Sequence, residues 1–96
     1  MATYKVSVRA NQDLLDIGLF TEQNWGRAQR NKYLDEIDLQ FQKLADNPHL
    51  GISYNEIRAS YRGQLVGKHI IFYIPYNYGV RIVRVLHQNM DYKKHF

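Results

Sequence analysis

The hydrophobic pattern of this 96-residue chain changes period at Asn47-Pro48, and that switch limits what the chain can fold into. Before it, residues that can be buried recur every three or four positions: Leu14, Ile17, Gly18, Thr21 and Trp25, then Tyr33, Leu34, Ile37, Phe41, Leu44 and Ala45. Each set is one face of an amphipathic helix. Asp35, Glu36, Asp38 and Gln42 fill the opposite face of the second. Asn47 precedes a proline, which pushes it out of the α region and ends that helix. Beyond this point β-branched and aromatic residues dominate, most densely in His69-Ile70-Ile71-Phe72-Tyr73-Ile74. Such a run suits a strand. Helices grouped early and strands grouped late predict an α+β layer architecture.

Finer punctuation divides the chain further. Thr3 to Arg9 alternates, with Tyr4, Val6 and Val8 on one side, and is expected to be a strand. Asn11 is the expected cap of the first helix, with Asp13 and Asp16 in its first turns, where the helix dipole favours anions. Gly26 separates that helix from a second over residues 28–46. A loop is expected over 49–56, a short strand over 57–61 and a long strand over 65–76. Asn77 and Gly79 mark a turn longer than the tight two-residue type, and the last strand runs over 80–86. Its inward face is undetermined, because Arg81 and Arg84 fall on opposite sides by period two. Residues 88–96 read as a basic tail or short helix. The predicted order is β-α-α-β-β-β, with an N-terminal helix hairpin packed on a small, mainly antiparallel sheet, in one domain over residues 1–96.

Composition excludes several classes. The chain has no cysteine, so disulfides, thiolate metal sites and cysteine nucleophiles are out. No apolar stretch approaches the roughly 20 residues needed to span a bilayer. Met1 to Arg9 alternates and does not read as a signal peptide. A soluble, cytoplasmic protein is expected. The net charge of +4 is unevenly spread. Residues 10–46 carry four basic against seven acidic side chains, whereas residues 57–96 carry seven basic against Asp91 alone. The C-terminal half should therefore attract an acidic partner or nucleic acid.

The segments Arg58 to Arg62, Lys68 to Tyr73 and Gly79 to Asp91 resemble the C-terminal half of ParE toxins, most specifically in Arg84-Val85-Leu86-His87-Gln88-Asn89-Met90-Asp91. Asp13-Leu14-Leu15-Asp16-Ile17 and Leu44 to Gly51 resemble the N-terminal half, so the likeness covers nearly the whole chain. It implies the RelE/ParE-like fold and the toxin component of a type II toxin–antitoxin system. It also implies inhibition of DNA gyrase by direct binding, without catalysis, and neutralisation by a ParD-like antitoxin with a ribbon-helix-helix domain. Toxin and antitoxin are expected to form a higher-order hetero-oligomer. No cofactor, no membrane and no direct nucleic-acid readout are expected.

The alternative is a RelE-type ribosome-dependent mRNA endonuclease. That reaction needs a cation for the phosphate and an acid–base pair. Glu56, Arg58, Arg62, Arg81, Arg84 and His87 are of suitable type, but the loop before the second strand lacks the lysine pair typical of RelE. His69 and His87 could be hairpin neighbours, yet only Asp91 offers a further metal ligand, so hydrogen-bonded imidazoles are expected and no metal. Arg84 or Arg81 is expected either to pair with Asp91 or a helix carboxylate, or to meet a partner. The target contact is assigned to Arg81, Arg84, His87, Met90 and Asp91, and the antitoxin contact to Arg58, Arg62 and Trp25. Trp25 itself is expected in the core and would anchor an interface only if exposed.

Overall fold

A computed structural model describes residues 2–96. β1 (Thr3–Val6) leads into α1 (Val8–Trp25) and α2 (Arg27–Asp46), followed by β2 (Ile52–Ser53), β3 (Arg62–Val66), β4 (His69–Tyr76), β5 (Gly79–His87) and a 3-10 turn (Tyr92–His95). The strands form one five-stranded sheet in the order β1-β5-β4-β3-β2. β1 runs parallel to β5 and the remaining pairs are antiparallel. The α+β architecture and the helix hairpin are as expected.

The first strand is shorter than its alternation suggests, because Ser7 and not Asn11 caps α1. The Ser7 Oγ accepts from the Ala10 N–H at 3.0 Å and donates to the Val83 carbonyl at 2.7 Å. A hydroxyl serving both ends outcompetes further strand pairing, so Val8 turns to solvent at 86% exposure. Gly26, at φ 90, is the single residue between the helices. No side chain is needed in a joint that tight, and glycine takes that φ at little cost.

The strand expected over 57–61 is instead a series of turns, and a two-residue strand, β2, lies in the expected loop. The long 65–76 strand is two strands folded at Gly67-Lys68, with Val66 paired to His69. Gly67 at φ 54 supplies the left-handed residue of that turn. The next hairpin is also tight: Tyr76 pairs with Gly79, leaving only Asn77 and Tyr78 between them. Close approach of β1 explains the glycine there, since a Cβ at Gly79 would sit 1.9 Å from the Thr3 carbonyl oxygen.

A bulge decides the faces of β5. Phe72 pairs with Arg84 and Tyr73 with Ile82, which leaves Val83 as an extra residue. Val80, Ile82 and Val85 therefore all join the helix-side core with Ile71, Tyr73, Ala10, Ile17, Ile37, Phe41, Leu44 and Ala45. Burial of each large apolar side chain here is worth about 1.5–3 kcal/mol. The same bulge overturns the period-two expectation for the arginines. Arg81 pairs across from Ile74, and Arg84 from Phe72, so both stand on the outer face of the sheet. That face is not bare. Tyr54, Tyr92 and Phe96 surround Phe72 with ring centroids 5.1–5.5 Å away, and Tyr61 meets Phe96 edge-on. The basic tail thus folds back as an aromatic cover.

Candidate functional site

Three surfaces gather the chemically capable residues. The first lies on the outer face of the sheet. Arg9, Arg58, Arg81 and Arg84 line a cleft of about 380 Å³ with Tyr61, Val83, His95 and Phe96. Arg84 is already committed. Its Nε and Nη2 grip the Asp13 carboxylate at 2.8 and 2.9 Å, and its Nη1 donates to the His95 carbonyl at 3.1 Å. Asp13 also accepts the Val85 backbone N–H at 3.0 Å, on the edge of β5 that β1 does not reach. The side chains of the pair are only 13% and 11% exposed. Hydrogen bonding to Asp13 raises the Arg84 pKa further above its already high ordinary value. Arg81 and Arg58 are exposed.

The second surface is on the opposite side of the sheet. His69 and His87 are cross-strand neighbours with ring centroids 5.3 Å apart. The Tyr33 hydroxyl lies 2.6 Å from His69 Nδ1 and 3.1 Å from the Val66 carbonyl, and it accepts the Lys68 N–H at 3.3 Å. The His87 Nδ1 accepts the Asn89 N–H at 3.1 Å. Burial, with the neighbouring His87 adding to it, pushes the His69 pKa down to about 4. Among the described residues no group of three or more metal-ligating side chains is gathered. A small cavity of about 260 Å³ beside the pair is walled by Phe20, Trp25, Tyr33 and Lys68.

The third surface is α1 itself. Leu15, Leu19, Phe20 and Trp25 are 57–63% exposed, off the stripe that packs on the sheet. Leu15 and Leu19 line a groove of about 580 Å³ between α1 and α2, with Leu14, Leu34 and Arg30 in its walls, whereas Phe20 and Trp25 wall the cavity beside the histidines. Trp25 is therefore not in the core, as expected from sequence, but at the end of α1, edge-on to Phe20 at 5.9 Å. It lies where the chain leaves the helix through Gly26.

Residues 4–92 match the family described as "ParE toxin of type II toxin-antitoxin system, parDE". The chain belongs to the ParE toxin family. It is 39% identical over 97 aligned positions to Toxin ParE1 of Caulobacter vibrioides, covering 99% of this chain and 98% of that protein. Toxin ParE1 of Mycobacterium tuberculosis is 38% identical over 89 positions, covering 92% and 91%. A solved structure titled "Chromosomal ParDE TA system from P. aeruginosa" shares the fold, with a TM-score of 0.76 at 17% identity over 91% of this chain and 96% of that one.

The residues expected to form this ParE toxin's contacts do not form one site. Arg81 and Arg84 share the outer cleft, but His87 is on the helix side of the sheet. Met90 is 47% exposed, and Asp91 starts the 3-10 turn without a side-chain cap bond. Arg84 pairs with a helix carboxylate, Asp13, and not with Asp91. Arg58 joins the cleft, whereas Arg62 donates to the Gly51 and His49 carbonyls at 3.0 and 3.2 Å and so holds the loop after α2. Sequence reasoning missed Arg9, Leu15, Leu19 and Phe20. The last three carried a signal: they are large apolar residues left over once the buried stripe of α1 is assigned. No helix of the described residues is long and apolar enough to cross a membrane.

Proposed function

We propose that this ParE toxin acts in the cytoplasm by binding DNA gyrase and blocking it stoichiometrically, without catalysis, until a ParD-like ribbon-helix-helix antitoxin engages it. The observation that carries the reading is the separation of the groups a nuclease would need. Arg84 is saturated by Asp13, the His95 carbonyl and partial burial. His87 stands on the other side of the sheet from Arg58, Arg81 and Arg84. A phosphoryl-transfer site needs its base and its cation within reach of one phosphate, and His87, the base expected for that reading, is out of reach of these cations; His95, which lines the cleft, meets Arg84 through its backbone carbonyl.

Exposed apolar area on α1 supports a protein partner instead. This area comprises Phe20 and Trp25, in edge contact, and Leu15 and Leu19 along the groove between α1 and α2, exposed apolar side chains of the kind that anchor interfaces. We assign it to the antitoxin, with the groove between α1 and α2 taking an amphipathic segment. Arg81, Met90 and the tail remain exposed for gyrase.

Purified chain added to a gyrase supercoiling reaction should abolish supercoiling near equimolar amounts and trap cleaved DNA, and the antitoxin should restore activity. Supercoiling that continues unchanged at excess toxin would sink the proposal. Turnover of RNA by trace amounts of chain would replace it with the nuclease reading.

A further inference from the structure

Three of the four arginines around the outer cleft are unspent. Arg9, Arg58 and Arg81 are exposed, and among the described residues none of their guanidinium groups has an acidic partner. No acidic residue lines the cleft. The Asp13 carboxylate, which reaches Arg84 at the border of the cleft, is consumed by Arg84 and the Val85 N–H. Lys93 and Lys94 stand exposed on the 3-10 turn whose His95 and Phe96 form part of the wall. Guanidinium groups that line one cleft with no acidic side chain among them form a site that an anion with several charges would complete.

We propose that this cleft holds backbone phosphates of duplex DNA, so that the toxin touches nucleic acid directly and without reading its sequence. Two features favour that ligand over others. The cleft's aromatic rings are occupied. Tyr61 is buried and edge-on to Phe96 at 5.7 Å, and Phe96 is edge-on to Phe72 at 5.2 Å. Rings engaged with each other are poor stacking platforms for the bases of a single strand, whereas a duplex presents phosphates with its bases already stacked. The charged side chains exposed in the cleft, Arg9, Arg58 and Arg81, are all cationic, while the exposed aromatic pair Phe20 and Trp25 lies with His69 and His87 on the other side of the sheet. Interfaces with DNA are the more polar and more basic kind.

The cleft shares Arg81 and the tail with the surface proposed for gyrase, so the test uses only the chain and DNA, and its failure leaves gyrase inhibition standing. Fluorescence anisotropy of a labelled duplex should show binding at low salt. Its log affinity should fall with log salt with a slope of roughly −3, about −0.9 for each of three contacted phosphates. In Arg58→Ala/Arg81→Ala the affinity should drop on the order of tenfold and the slope should flatten by about 2. Both residues are exposed and partner-free, so circular dichroism should be unchanged. Lys32→Ala/Lys43→Ala removes the same charge from α2 and should leave binding near that of the parent. Equal losses in the two double variants would reduce the effect to net charge and overturn the proposal. So would an absence of binding at low salt, tighter binding to a single strand than to the duplex, or full displacement of the DNA by a polyglutamate peptide at matched charge.

Discussion

Removing the Asp13 carboxylate would leave the Arg84 guanidinium almost buried with only the His95 carbonyl to accept from it, and would also strip the Val85 N–H of its acceptor. A charge in that position is costly, so Asp13→Ala should lower unfolding free energy by about 3–5 kcal/mol. Arg84→Ala should cost a similar amount. The double replacement Asp13→Leu/Arg84→Met should recover most of the loss, because neither charge is then stranded, although the Val85 N–H still forfeits about 1 kcal/mol or more. Urea denaturation of the four proteins checks this. A double variant as unstable as the sum of the singles would mean that the pair is not coupled. His69 makes a second residue-scale prediction. Its imidazole is pushed from 6.5 to about 4 by burial and by His87. As pH falls through 6.5 the unfolded chain takes up a proton that the folded chain refuses until about 4, so the unfolded state binds more protons across that window. The contribution to stability is complete above 6.5 and drains away between 6.5 and 4, and solvent screening reduces its size because His69 is only half-buried. Comparing urea midpoints near about pH 7.5 and about pH 4.5 should show a smaller loss in His69→Gln than in the parent. The same pH dependence in both would place the titrating group elsewhere.

α1 carries two unrelated duties on two faces. Ala10, Ile17, Gly18 and Thr21 are buried, and Asp13 reaches the free edge of β5. Leu15, Leu19, Phe20 and Trp25 contribute little to that packing and remain exposed. Phe20→Ala/Trp25→Ala should therefore leave stability within about 0.5 kcal/mol, as for other surface changes, while weakening antitoxin binding by 2 kcal/mol or more, a loss of about thirtyfold. Calorimetry with the antitoxin decides this, and unchanged affinity would move the contact off α1. Elements of this kind were readable from sequence where a period ran long. Both helices, their Gly26 joint and the Asn47-Pro48 stop follow from spacing alone. The Gly67-Lys68 hairpin was hidden because Leu65 to Tyr76 is apolar almost throughout, so only one glycine interrupts it. The bulge at Val83 was invisible for a deeper reason. Period two holds on each side of it, and the extra residue is selected by a long-range bond, from the Ser7 hydroxyl to the Val83 carbonyl. The outer arginines were consequently assigned to opposite faces.

Across the whole molecule the sheet acts as a partition. On one side are the helix hairpin, its acidic α2 face, the histidine pair and the exposed aromatics of α1. On the other are the arginine cleft and the aromatic cover formed by the tail. Surfaces separated by a rigid layer and sharing no side chain should fail independently, since sites that far apart without common partners behave additively. Loss of the α1 anchors should yield a toxin that still stops growth when its antitoxin is co-expressed, because recognition is weakened and the toxic surface is intact. Loss of the cleft through Arg58→Ala/Arg81→Ala should do the reverse. That variant should be harmless when expressed alone yet still be captured by the antitoxin with near-parental affinity. Growth curves with and without antitoxin, paired with the calorimetry, distinguish the two behaviours. If both double variants lost toxicity and antitoxin binding together, the two faces would be one coupled surface, and the sheet could not be the divider that its topology makes it.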